Sequence, residues 1–165
     1  MNATDLDPGG MPLAELRSLR AALQHEDDAV SFVRRLTQAR LDLVLAEQRR
    51  RLAGESGDDI SGELPKILGQ HLTGGAARPP RPADDFSDHP LALELAALCA
   101  DCGSTDLGAM TDTELADFGD RLLGFEQSRS HERKDLFTRI DALSAELVRR
   151  YRDGEADVDG LLADE

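Results

Sequence analysis

Two stretches decide how this chain folds: DDAVSFVRRLTQARLDLVLAEQRRR, Asp27–Arg51, and EQSRSHERKDLFTRIDALSAELVRR, Glu126–Arg150. They align at an offset of 99 residues. Ser31 falls on Ser130, Arg34 on Arg133, Arg40 on Arg139 and Asp42 on Asp141. Ala46 falls on Ala145, Glu47 on Glu146, and Arg50 and Arg51 on Arg149 and Arg150. Asp27 meets Glu126, Leu41 meets Ile140 and Val44 meets Leu143. Helices rich in Arg, Glu and Ala look alike by composition alone. This match also takes in Ser and Asp, which helix interiors do not favour, so it points to an internal repeat.

Both stretches read as parts of long helices. Pro12 suits a first helical turn, and from there to Leu52 no further Gly or Pro occurs. Leu16, Leu19, Leu23, Val30, Val33 and Val44 recur at helical spacing. The spacing predicts a helix over about 12–53, a rod of ~60 Å at ~1.5 Å per residue. Gly54 and Gly57 end it. Thr111 with Glu114 forms a capping box, the start of a second long helix over about 112–153 with Gly154 as its stop. Gly119 and Gly124 weaken its first part. Between the two lie a short helix over about 59–72, interrupted near Pro65, a Gly- and Pro-rich linker over 73–88, and a short helix over about 89–102. Residues 1–10 read as a disordered lead and 154–165 as a tail with a short docking turn. The expected fold is all-α: an antiparallel two-helix coiled-coil hairpin of long helices, with two or three short helices between and after them. Residues 11–165 read as a single helical domain.

Composition narrows the function. Of 165 residues, 4% are aromatic, 32% are charged, and the formal net charge is -14. Such acidity repels a phosphate backbone, so no direct DNA or RNA binding is expected. It suits a basic protein partner, or simple solubility. No apolar run approaches the ~20 residues of a membrane span, and the acidic start lacks the blocks of a signal peptide. A cytoplasmic protein is therefore expected. Cys99 and Cys102 have no second ligand pair for zinc and read as structural thiols. His25, His71, His89 and His131 show no metal spacing. There is no Gly-rich phosphate loop and no nucleophile beside a base. Neither a metal site nor an enzyme is expected.

The repeat carries a polar pattern: Asp27, Ser31, Arg34, Gln38 and Asp42 in the first stretch, and Glu126, Ser130, Arg133, Phe137 and Asp141 in the second. At ~100° per residue, its five positions fall within an arc of ~80° and span ~22 Å. An apolar flank runs beside each stripe: Val30, Val33, Thr37, Leu41 and Val44, then Leu136, Ile140, Leu143 and Leu147. Packing these flanks together brings both stripes to the rim of one groove. Arg offers a planar fork that matches the O6/N7 edge of guanine or a phosphate. Asp or Glu accepts from guanine N1–H and its amine, donors that adenine lacks in that arrangement. Ser and Gln suit phosphate or ribose oxygens. On chemistry alone two readings stay open: a guanine-nucleotide groove, or a solvated face laced by salt bridges.

The pattern E-x3-S-x2-R-x3-Q-x3-D, present twice, resembles the signature of the RsiG family of actinobacterial anti-sigma factors. The stretches Glu63–Leu68 and Ile140–Glu155 look like that family as well. The resemblance implies an antiparallel coiled coil that holds cyclic di-GMP, as one molecule or a dimer, and then sequesters a WhiG-type sporulation sigma factor, a relative of flagellar sigma factors. It carries the ligand-binding role onto the ten stripe positions. Two motifs in one chain imply a monomer forming a 1:1 partner complex. This chain departs from the pattern twice. Asp27 stands for Glu, one methylene shorter. Phe137 stands for Gln and cannot hydrogen-bond as Gln does, although an aromatic face can stack on a purine. The reading from another class is a helical coiled-coil interaction module with no nucleotide ligand.

Overall fold

The computed structural model of the protein describes residues 7–54 and 84–154. Among them are three α-helices and no strand: α1, Leu13–Ala53; α2, Pro90–Asp101; and α3, Asp112–Arg152. The all-α hairpin of long helices read from the sequence is the architecture found. The expected short helix over 59–72, most of the 73–88 linker and the tail beyond Gly154 lie outside the described residues.

Local chemistry sets the helix ends. The Leu16 N–H donates to Pro12 O at 3.0 Å, opening α1. Gly54 stops it at φ 69°, the left-handed conformation that glycine adopts without steric cost. His89 caps α2, its Nδ1 accepting from the Leu91 N–H at 3.3 Å. At its other end Ser104 N donates to Cys99 O and Gly103 N to Ala100 O, the paired bonds of a Schellman stop. The capping box at α3 is formed in both directions. Thr111 N donates to Glu114 Oε2 at 2.8 Å, and Glu114 N donates to Thr111 Oγ1 at 3.2 Å.

The repeat is longer than the sequence alone suggests. Leu13–Ala53 and Asp112–Arg152 are both 41 residues long and stand 99 residues apart at either end. The 3-10 turns that precede them, Pro8–Gly10 and Leu107–Ala109, keep the same offset. So do their caps, Asp7 and Asp106, each accepting from a backbone N–H of its turn. The first of these turns lies within the stretch expected as a disordered lead, and the Arg150 guanidinium donates to Pro8 O, Gly9 O and Met11 O.

Contacts divide the chain into two compact units, and each contains part of α1 and part of α3. Of the described residues, the terminal unit takes 7–31 and 130–154, and the middle unit takes 32–54 and 84–129. In the terminal unit the two long helices run antiparallel, with Arg17 reaching Tyr151 and Arg20 reaching Ser144. Leu16, Leu23, Ala29, Val30, Leu136, Ile140, Leu143 and Leu147 are its buried apolar residues among those described. In the middle unit α2 joins the packing. Val33 and Val44 from α1, Leu95 and Cys99 from α2, and Leu115, Phe118, Leu122 and Phe125 from α3 form one core. The apolar flanks read from sequence are thus the buried faces, except that Leu41 is only partly covered. Thr37 is fully buried because its hydroxyl donates back to Val33 O at 2.9 Å, leaving its methyl to pack.

The two glycines inside α3 differ. A Cβ at Gly119 would lie 3.3 Å from Val44 Cγ1, so this glycine lets the helices approach. At Gly124 a Cβ would meet nothing within 4 Å. Gly124→Ala therefore gains helix propensity with no clash. It is expected to stabilise by roughly 0.5–1 kcal/mol and to raise the melting temperature by about 1–4 °C. Gly119→Ala crowds Val44 and is expected to gain nothing. Paired thermal melts check this.

Candidate functional site: crossed arginine–carboxylate pairs

The ten stripe residues fall into two sets, one in each unit. In the middle unit Arg34 Nη1 donates to Glu126 Oε1 at 3.0 Å, and Gln38 Nε2 donates to the same oxygen at 3.1 Å. The third and fourth positions of the first motif therefore converge on the first position of the second. Asp42 is half-buried on the same stretch of α1.

The terminal unit contains the reciprocal pair. Arg133 Nε donates to Asp27 Oδ1 at 3.3 Å, so the third position of the second motif meets the first position of the first. Here the fourth position is Phe137. Instead of donating to the acid as Gln38 does, its ring carries the Arg133 guanidinium at 4.8 Å from the ring centroid. The ring is 42% exposed. Ser31 and Ser130 are half-buried, while Asp141 is exposed. Asp27, with one methylene less than Glu126, makes the longer bond.

The electrostatics of the two pairs follow from their surroundings. Burial pushes the Asp27 carboxyl up from its ordinary 3.8, and the neighbouring Arg133 charge and hydrogen bond act against that push. A carboxyl whose pKa is raised on folding costs stability once ionised, at pH values above that pKa. Asp27→Asn is therefore expected to leave the melting temperature at pH 7 unchanged or higher, while removing a carboxylate acceptor from the stripe. Melts and ligand titration on one sample separate the two effects.

Two buried motif atoms have no hydrogen-bond partner among the described residues: Arg34 Nε and Ser31 Oγ. Arg139 Nε, outside the motif, is in the same condition. A buried unsatisfied donor costs roughly 1–3 kcal/mol, so native proteins rarely keep one without a reason. A phosphate or base edge would satisfy both motif atoms. The donor set thus fits an anionic purine nucleotide: guanidinium forks, a hydroxyl, and carboxylates that can accept from guanine.

A second repeated constellation was not foreseen as a working part. Glu47 is fully buried and receives Arg50 Nε and Arg51 Nε, both at 2.7 Å. Arg51 also reaches Asp112 Oδ1 at 2.7 Å and Leu107 O at 2.8 Å, holding the turn before α3. Its counterpart Arg150 reaches Glu146 and the carbonyls of the turn before α1. The signal was present in the identical pairs Glu47/Glu146 and Arg51/Arg150. Their partners are distant backbone carbonyls, which leave no mark in the sequence.

No helix among the described residues is long and apolar enough to cross a membrane. No curated protein matches the chain. A family model described as RsiG-like matches residues 2–68, a stretch that holds all of the first motif and none of the second. That family consists of regulatory anti-sigma factors, not enzymes, and the match supports an anti-sigma type of role in general. Over residues 2–68, which include the first polar stripe, this chain is similar to the RsiG family.

Proposed function

We propose that this protein is an anti-sigma factor that reads cyclic di-GMP through its crossed arginine–carboxylate pairs and, with ligand bound, sequesters a WhiG/flagellar-type sigma factor. The carrying observation is the same crossed pair in each unit, Arg34 with Glu126 and Arg133 with Asp27. Guanine presents O6 and N7 as acceptors and N1–H and its amine as donors. An arginine beside a carboxylate presents the complement of that edge. Without ligand the two protein groups satisfy each other. Each pair is then an internal stand-in for one guanine, and ligand binding exchanges one set of charge-assisted bonds for another. The two sites differ at the fourth position. Gln38 supplies an amide in the middle unit, whereas Phe137 in the terminal unit supplies a ring face on which a base can stack.

Partner control follows by linkage. A ligand that opens the pairs stabilises the conformation it binds, and a sigma factor that prefers this conformation binds more tightly in its presence. The protein acts as a monomer with one sigma factor. A net charge of -14 suits a partner whose DNA-binding surfaces are basic. Thermal melts with and without cyclic di-GMP test the ligand step. At a ligand concentration of 100 times Kd, a binder of the folded state gains about 2.7 kcal/mol, or roughly 5–10 °C. An unchanged melting temperature across a millimolar titration contradicts the proposal. A pull-down that recovers the same sigma factor equally with and without the dinucleotide favours the plain interaction module.

A further inference from the structure

The repeat is not exact in the chemistry of one cleft. In the terminal unit Arg17, Arg20, Ser144, Leu147, Val148 and Tyr151 line a cleft of about 420 Å³. Arg17 donates from Nε and Nη2 to the Tyr151 hydroxyl at 3.1 and 2.6 Å, and its guanidinium lies 5.7 Å from the centre of that ring. Arg20 Nε donates to Ser144 Oγ at 2.8 Å. Among the described residues these two arginines reach hydroxyls only. Arg34, Arg51, Arg133 and Arg150 each reach a carboxylate, whereas Arg40 reaches the Cys99 sulfur. This happens in a chain with 33 acidic and 19 basic residues, where a carboxylate partner is easily supplied. Among the described residues Arg20 has no partner at either Nη, and Arg17 none at Nη1. The charged side of the cleft faces an apolar side, with Leu147 buried and Val148 55% exposed.

At the offset of 99 residues Arg17 and Arg20 correspond to Ala116 and Gly119, and Ser144 and Tyr151 to Leu45 and Leu52. The cleft at the equivalent place in the middle unit, lined by Gln48, Arg51, Leu52, Asp112 and Leu115, has no such arginine pair among the described residues, and its Arg51 already reaches Asp112. The crossed pair and the buried clasp are duplicated, as suits a ligand with two like halves. A feature present once suits a partner that has no such symmetry.

We infer that this cleft is a docking site for a segment of a partner protein, taking one carboxylate side chain flanked by an apolar residue. The carboxylate lies in the plane of the Arg17 and Arg20 forks, which present N–H groups in the spacing a carboxylate accepts. The apolar neighbour covers Leu147 and Val148. The cleft is a positive island on an acidic protein. It picks out an acidic position on a partner that is basic elsewhere, and so fixes the register of docking beyond what overall charge achieves. A protein occupant rests on the anti-sigma reading, but the cleft does not depend on cyclic di-GMP.

The chain has one tyrosine and no tryptophan, so intrinsic fluorescence reports Tyr151 alone. The full-length protein is titrated with acetyl-Leu-Glu-Leu-amide, acetyl-Leu-Gln-Leu-amide and inorganic phosphate. The Glu peptide is expected to change the tyrosine emission saturably, with a Kd on the order of 1 mM for so short a probe. The Gln peptide should bind at least 10-fold more weakly, and Arg20→Gln should lose the response to the Glu peptide. No response, or equal responses to the two peptides, overturns the inference. Phosphate that saturates as tightly as the Glu peptide also overturns it, because the cleft is then a small-anion site. Arg20→Gln should bind cyclic di-GMP as the wild type does, which keeps this test separate from that of the crossed pairs.

Discussion

Arg34→Ala combined with Arg133→Ala is expected to abolish the proposed cyclic di-GMP binding while the protein remains folded. Each arginine is half-buried beside the acid that it pairs with. A hydrogen bond to a charged group contributes about 1.5–3 kcal/mol. Losing one fork at each site therefore weakens binding by on the order of 100-fold or more. The single variants are not expected to be equal. Arg34→Ala strips the middle unit of a fork that Gln38 cannot replace. Arg133→Ala leaves Phe137, which still offers a stacking face. The Arg133 variant is expected to retain the larger share of affinity, and titration calorimetry of the three variants measures the order. Folding survives because each removed guanidinium lies at the rim of a buried flank and is not part of it. The acid left behind in each pair retains some access to water.

The second large effect is on stability. Glu47→Ala is expected to destabilise the protein by roughly 2–3 kcal/mol. Breaking a buried ion pair from one side costs about 3–5 kcal/mol. Here the two guanidiniums keep 27% and 20% of their exposure and recover part of that loss in water. The melting temperature falls by roughly 5–10 °C. The same residue sets an acid limit. The Arg50 hydrogen bond, with Arg51 beside it, holds the Glu47 carboxyl down at about 2 from its ordinary 4.5. Arg149 and Arg150 hold Glu146 at about 2 as well. Both pKa values are depressed on folding, so the unfolded chain binds more protons between pH 4.5 and 2. The stability these groups add is complete above the upper value and is lost as pH falls through that window. Wild-type melting temperature should drop steeply there, and Glu47→Gln should flatten part of the slope. A variant with the same acid limb as wild type contradicts this assignment.

Much of the fold could be read along the chain because its limits are local. Pro12, Gly54, the Thr111–Glu114 box and Gly154 mark helix ends through backbone chemistry that acts within a few residues. The apolar flank was legible because it follows one helical period, and even Thr37 obeyed it by turning its hydroxyl onto Val33. The stripe positions were legible as a repeat. Their crossing was not. That Arg34 meets Glu126 and not Asp141 depends on the register between α1 and α3, which core packing sets. Gly119 shows the same limit. In sequence it is a weak point in a helix, whereas in the structure it is where Val44 comes close. The contact of Arg150 with Pro8 was not legible either, because the two lie at opposite ends of the chain.

The central claim is that the crossed pairs read guanine. Calorimetric titration of the wild-type chain with cyclic di-GMP, alongside cyclic di-AMP, tests it most directly. Adenine lacks the adjacent N1–H and 2-amine donors that Asp27 and Glu126 would accept. Saturable heat is expected with cyclic di-GMP, and at least 100-fold weaker binding of cyclic di-AMP. No heat with cyclic di-GMP, or equal binding of both dinucleotides, would contradict it.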